Sequence, residues 1–154
     1  EGVTVVAMGR GPDEGALTVE SVRAVLGSLG RHHGLVLLDP GRVPLPAARQ
    51  AVRGAEATVL LAGGGVRAVA AAARVAAGLE GTGAGVVVRR APGGPPVTVV
   101  ADAVGLPCWG DVPTDRRVAA DAEAGEPPWS GRSRWGRAVA RVLERVWQEA
   151  SDVG

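Results

Sequence analysis

Leu35-Val36-Leu37-Leu38-Asp39-Pro40-Gly41-Arg42 is the stretch that decides the predicted fold. Its four consecutive apolar residues, bounded by Gly34 and Pro40, are typical of a strand buried on both faces in a parallel sheet covered by helices. Asp39 follows the run directly, and sheets of this kind bind ligands at the carboxyl ends of their strands. The sequence therefore predicts a parallel sheet with one acidic residue at its carboxyl edge.

Further apolar runs alternate with amphipathic segments along the rest of the chain. Apolar runs predict strands over residues 3–8, 57–62, 85–88 and 107–112. Periodicity, capping residues, Pro and Gly predict helices over 19–29, from the Pro44 and Pro46 pair to about 52, and over 66–77, 98–104, 114–125 and 133–150. A strand remains the alternative for 98–104, which is rich in Val. This alternation predicts one α/β domain over residues 1–154, with a parallel sheet covered by helices on both faces.

The composition limits the function. The 154 residues include 17 basic side chains, all of them Arg, against 16 acidic ones, so no nucleic-acid partner is expected. Lys, Asn, Ile, Phe and Tyr are absent, which indicates a GC-rich bacterial genome. A Walker A motif requires Lys, so we predict no ATP hydrolysis by this segment alone. No signal segment or membrane span is visible, which predicts a cytoplasmic protein.

Two local features each admit two interpretations. Gly63, Gly64 and Gly65 join a predicted strand to a predicted helix, where backbone N–H groups either bind an anion or simply allow tight packing. The single Cys108 is interpreted as a small buried residue in preference to a reactive thiol.

The last predicted helix, residues 133–150, has an apolar stripe opposite an Arg-rich face. Two explanations fit this pattern, namely packing that closes the α/β core or peripheral contact with an anionic membrane. Packing is the preferred interpretation, because Glu144 and Glu149 dilute the positive face.

The order of several motifs resembles the C-terminal half of the MinD/ParA group of deviant P-loop ATPases, and more closely its CpaE-like, septum-site-determining branch. The resemblance covers nearly the whole chain, and the matching segments occur in the expected order. They are Val3 to Gly11 (a strand and Trp-Gly-Arg-Gly-like turn), Val36 to Asp39 with Arg42 (a Walker B-like strand and turn), Ala55 to Ala62, Val86 to Arg89, Ala103 to Pro107, Val112 to Arg116 and Ala124 to Pro128.

The resemblance implies roles for individual residues. Asp39 corresponds to the Walker B-like acid, which makes it the expected catalytic acid and magnesium ligand. Val112, Pro113, Thr114 and Asp115 correspond to residues that line the adenine side of a nucleotide site. Arg89 corresponds to an Asn that helps to read adenine in MinD-type proteins, so this chain departs from the pattern there.

The resemblance also implies a longer parent protein that carries the P-loop half and a receiver-like domain upstream of Glu1. Such a parent would bind ATP and Mg²⁺, whereas neither cofactor is expected for this segment alone. The implied function is regulation or localisation in septum formation or in Tad pilus and secretion assembly, with weak or lost ATPase activity. The expected partners are proteins of the division or secretion machinery and a second copy in a homodimer, at the septum or pole.

Two other functions are alternatives to this one. The first is an interaction module that keeps the fold without binding nucleotide. The second is a Rossmann-type enzyme, which lacks support because no Gly-x-Gly-x-x-Gly follows a strand.

Overall fold

The computed structural model describes residues 3–7, 18–41, 46–126 and 132–152 of the chain. These residues divide into two units, one over residues 1–54 and one over residues 55–154. Three segments that contribute to the resemblance lie outside the described residues. They are the turn at 8–11, Arg42 and the Pro pair at 127–128.

Among the described residues of the first unit, the regular structure consists of two helices, α1 (Val19–His32) and α2 (Pro46–Arg53). A capping box begins α1: the Ser21 N–H donates to Thr18 Oγ1 at 3.1 Å, and the Thr18 N–H donates back to Ser21 Oγ at 3.0 Å. The helix continues past the expected stop at Gly30 and ends at His32. Its buried contacts with α2 involve small residues, Ala47 and Ala48.

The two strands predicted in the first unit are wrong as far as the structure describes them. Residues 3–7 and 35–40 have no regular secondary structure. Leu35 is 55% exposed and Leu37 is 78% exposed, so the apolar run is not buried on both faces. An apolar run becomes a strand only when a neighbouring strand pairs with its backbone, and composition alone cannot specify that neighbour.

The second unit contains a parallel three-stranded sheet in the order β1-β2-β3. Its strands are β1 (Thr58–Gly63), β2 (Ala84–Arg89) and β3 (Cys108–Val112). Thr58 is opposite Ala84 at the start of the first pair, and Arg89 is opposite Val112 at the end of the second. Three of the five predicted strands are therefore confirmed. Because the strands are parallel, their carboxyl ends lie at the same edge of the sheet.

Four helices accompany this sheet: α3 (Val66–Ala76), α4 (Val97–Val104), α5 (Arg116–Glu123) and α6 (Arg134–Asp152). A short 3₁₀ turn, Ala77–Leu79, extends α3, and the segment from Val97 is a helix and not a strand. The predicted parallel α/β fold is confirmed at this level.

Alternate residues of β2 belong to two apolar clusters, which shows that both faces of the sheet are covered. Val86 and Val88 pack in a cluster with α3 and α4, whereas Val87 packs in the other cluster with α6. Because successive side chains of a strand point to opposite faces, these helices lie on opposite sides of the sheet.

α6 packs on the sheet, as the preferred interpretation of its apolar stripe expected. Its contacts are with β3 and involve Ala138, Val139, Val142 and Val146. Leu143 and Trp147 are 48% and 59% exposed, so part of the stripe remains in solvent. Among the described helices, none combines the length and apolar character required to cross a bilayer.

The interpretation of Cys108 as a buried residue is wrong, because its side chain is exposed. Cys108 begins an edge strand, and an edge strand has a neighbouring strand on one side only. Its Sγ lies 3.8 Å from the carbonyl oxygen of Gly110 in the same strand.

Candidate functional site

The carboxyl edge of the sheet is the candidate site. β1, β2 and β3 end at Gly63, Arg89 and Val112, and the loops that follow them begin side by side. In parallel α/β sheets, ligands bind outside these strand ends.

Gly64 holds the first two loops together. Its backbone N–H donates to the carbonyl oxygen of Arg89 at 2.9 Å. A Cβ at Gly64 would lie 3.0 Å from the backbone N of Ala91, so only glycine allows this approach without a shift. The glycine loop therefore has a packing role, which is one of the two interpretations that the sequence left open.

The same loop leads into α3. Gly65 is the N-cap of α3 and makes no side-chain capping hydrogen bond. The next residue, Val66, is 84% exposed. The first turn of α3 therefore lies at the surface, with the exposed Arg67 as its second residue.

Three polar contacts hold Arg90, the residue directly after β2. Its Nε lies 2.7 Å from Oδ2 of Asp111 on the neighbouring strand. Its backbone N–H donates to the Val112 carbonyl at 2.9 Å, and its own carbonyl accepts a hydrogen bond from Thr114 Oγ1 at 2.6 Å. The two charged side chains are 42% and 33% exposed, so water screens this ion pair.

Sequence reasoning did not find this ion pair. It placed both residues near strand ends, but the pairing depends on the register, in which Val88 is opposite Asp111 and Arg89 is opposite Val112. The signal in the sequence was a pair of arginines after one predicted strand and an acidic residue near the end of another.

The residues predicted to line the adenine side fall into two groups. Val112 is buried in the apolar cluster under α6, and Arg89 is exposed at the end of β2. Thr114 holds the Arg90 carbonyl, and Asp115 is the N-cap of α5, accepting the Arg117 N–H at 2.9 Å. α5 therefore begins at Arg116, two residues after the start predicted at 114.

All five predicted positions lie on or shortly after two neighbouring strands: Arg89 on β2, and Val112, Pro113, Thr114 and Asp115 at the end of β3 and in the loop that follows it. The structure brings these residues to one edge. Thr114 Oγ1 and Asp115 Oδ1 each make a hydrogen bond within the protein.

Asp39 belongs to the first unit. It is exposed, and its Oδ1 accepts the backbone N–H of Gly41 at 2.9 Å. Gly41 has φ 72°, so the residues after Asp39 form a tight turn that favours glycine. Within the described ranges, no group of three or more His, Cys, Asp or Glu side chains is placed to hold a metal ion.

Two solved structures share the architecture described above. The MinD cell division protein of Aquifex aeolicus matches with a TM-score of 0.71 and 17% identity, over 85% of this chain and 61% of that chain. The cell division ATPase MinD of Pyrococcus furiosus matches with a TM-score of 0.69 and 18% identity, over 85% of this chain and 59% of that one.

This chain has a MinD-like fold. It spans about three-fifths of the length of the two MinD chains. At these identities the likeness establishes the fold alone, so nucleotide chemistry has to be argued from the residues. No family model matches the chain, and no curated protein matches it significantly.

Proposed function

We propose that these residues are the C-terminal portion of a MinD/ParA-like regulatory or localisation protein of the CpaE-like, septum-site-determining type. The observation that carries the proposal is the shared parallel α/β architecture with two MinD structures that are longer than this chain. The matching motifs, in their expected order, support the finer assignment to septum formation or to Tad pilus and secretion assembly.

In this proposal the parent protein binds ATP and Mg²⁺ weakly or has lost ATPase activity. The residue that supports weakened nucleotide chemistry is Arg89, which stands where the resemblance places an adenine-reading Asn. Asp39 would be the magnesium-side acid, and the loop from Val112 to Asp115 would face the base. Nucleotide binding would then regulate a homodimer or a surface for a partner protein.

Calorimetry with Mg-ATP on the full-length parent tests this proposal. Magnesium-dependent affinity that Asp39→Ala removes would support the nucleotide switch. Asp102→Ala is the matched control, since Asp102 is an exposed acid on α4 in the other unit. Equal loss in both variants would contradict a specific role for Asp39.

A nucleotide-independent interaction module is the second candidate. The observation that favours it is the engagement of the polar groups at the carboxyl edge. Thr114 bonds to the Arg90 carbonyl, Asp115 caps α5, and Arg90 pairs with Asp111. Undetectable Mg-ATP binding by the full-length parent, with partner binding retained, would favour this candidate over the switch.

A further inference from the structure

Arg90 connects the end of β2 with the segment that follows β3. Its backbone N–H donates to the Val112 carbonyl at 2.9 Å, where the pairing of the two strands ends. Its own carbonyl accepts a hydrogen bond from the Thr114 hydroxyl at 2.6 Å. The backbone of this one residue therefore holds both the last residue of β3 and the middle residue of the loop between β3 and α5.

The side chain of Arg90 adds a third contact between the same two segments. Its Nε lies 2.7 Å from Oδ2 of Asp111. Asp111 is opposite Val88, whose side chain packs with α3 and α4. Residues opposite each other in a sheet point to the same face, and Arg90 is two residues after Val88. The ion pair therefore lies on the face of α3 and α4, whereas Val112 packs on the face of α6.

The loop from Pro113 to Asp115 depends on these contacts for its position. Val112 is buried, but each loop residue is half-buried or exposed, and no residue of α5 is buried in the described structure. Within β3, Gly110 has φ 140°, and the register with β2 shifts between Val86 and Val87. Where packing is sparse and a strand is irregular, polar contacts decide where the next loop lies.

We propose that Arg90 and Asp111 are positioning residues for the base side of a nucleotide site. This role rests on the proposed function, in which the loop from Val112 to Asp115 faces the base. Neither residue touches the nucleotide in this proposal. The ion pair fixes the end of β3 against β2, and the bond from Thr114 to Arg90 passes that position on to the loop.

Mg-ATP affinity of the full-length parent tests the pair. A partly exposed ion pair contributes little, because water screens it, so we expect Arg90→Ala and Asp111→Ala each to raise the dissociation constant about two- to fivefold. The double variant should be no weaker than either single variant, since each substitution removes the same interaction. Asp102→Ala is the matched control, because Asp102 is an exposed acid on α4 outside the strand pairing and should leave the constant unchanged.

Magnesium tripolyphosphate is the second probe, because it has the phosphates of ATP without the base. Its affinity, measured by competition with Mg-ATP, should be the same in the wild type and in both alanine variants. The exchanged pair, Arg90→Asp with Asp111→Arg, should recover part of the Mg-ATP affinity that Arg90→Asp alone loses. Circular dichroism and denaturant unfolding check that each variant is folded.

The outcomes separate the positioning role from the nucleotide switch. Three results would each overturn the positioning role while the switch stands: unchanged Mg-ATP affinity in both alanine variants, equal loss of affinity for Mg-ATP and tripolyphosphate, or no recovery in the exchanged pair. A wild-type parent that does not bind Mg-ATP would overturn the switch and the positioning role together.

Discussion

At the scale of single residues, the contact between Trp109 and Gly85 fixes how β2 and β3 pack. A Cβ built at Gly85 would lie 2.1 Å from Cδ2 of Trp109, so the indole ring occupies the space of the missing side chain. Trp109 is 4% exposed, and its indole N–H has no hydrogen-bond partner among the described residues. The packing of the ring therefore outweighs the cost of one unpaired donor.

Gly85→Ala should destabilise the protein strongly. The new methyl group cannot fit unless the ring or the strand moves, and overpacking of this kind costs up to about 3 kcal/mol of unfolding free energy. Gly78→Ala is the control, because nothing lies within 4 Å of a Cβ built there. Denaturant unfolding of both variants measures the difference, and similar free energies of unfolding would contradict the described packing.

At the scale of single elements, the structure shows which side chains cap the helices. The Asp115 carboxylate accepts a hydrogen bond from the N–H of Arg117 at the start of α5. A cap of this type stabilises a helix by satisfying a donor that has no partner inside the helix.

Asp115→Ala should lower the free energy of unfolding by about 1 kcal/mol, whereas Asp115→Asn should leave it nearly unchanged, because Asn caps as well as Asp does. Thermal and denaturant unfolding provide the comparison. Equal destabilisation by Ala and Asn would show that the negative charge, and not the hydrogen bond, is what α5 requires.

Glu20 gives α1 a dependence on pH. Its own backbone N–H and the Thr18 side chain donate hydrogen bonds to the carboxylate, and these lower the pKa of Glu20. A lowered pKa means that the charged form stabilises α1 above the unfolded-state pKa, and that this stabilisation is lost as pH falls through the folded-state pKa.

An NMR titration of the Glu20 carboxyl carbon should therefore give a lower pKa in the folded chain than in the denatured chain. Thr18→Ala removes one of the two donors and should reduce the difference. Identical pKa values in the folded and denatured chains would contradict the described start of α1.

The elements also show what the sequence could and could not predict. The helical period of Val139, Val142 and Val146 was sufficient to predict α6 and its buried stripe. The runs at 35–38 and 85–88 are both apolar, but only the second is a strand, because pairing depends on neighbours far away in sequence. For the same reason, the Arg90–Asp111 ion pair could not be predicted without the register.

At the scale of the whole molecule, the two units differ in what stabilises them. Residues 55–154 contain two clusters of buried apolar side chains, including Val86, Val100 and Trp109. Among the described residues of 1–54, the buried side chains are those of Ala47 and Ala48. Burial of larger apolar side chains supplies most of the free energy that opposes conformational entropy, so the second unit should be the more stable.

Limited digestion with trypsin should therefore cut within residues 1–54 first and leave a fragment that begins near residue 55. Both units offer exposed arginines to the protease, for example Arg23 and Arg49 in the first and Arg74 and Arg117 in the second. Mass spectrometry identifies the surviving fragment. Survival of residues 1–54 beyond residues 55–154 would reverse the predicted order of stability.

The fold and a nucleotide site depend on different features of the molecule. A parallel sheet with a common carboxyl edge is shared with MinD, but the polar groups at that edge hold loops and helix ends in this chain. The fold provides a place for a ligand, and the side chains decide whether one binds.

The measurement that tests the central claim most directly is an NMR map of backbone contacts between strands in the 154-residue chain. The structure predicts parallel cross-strand contacts that place Leu61 opposite Val87 and Val88 opposite Asp111, with β2 in the middle. Antiparallel contacts, or a direct pairing of β1 with β3 within one chain, would contradict the MinD-like architecture.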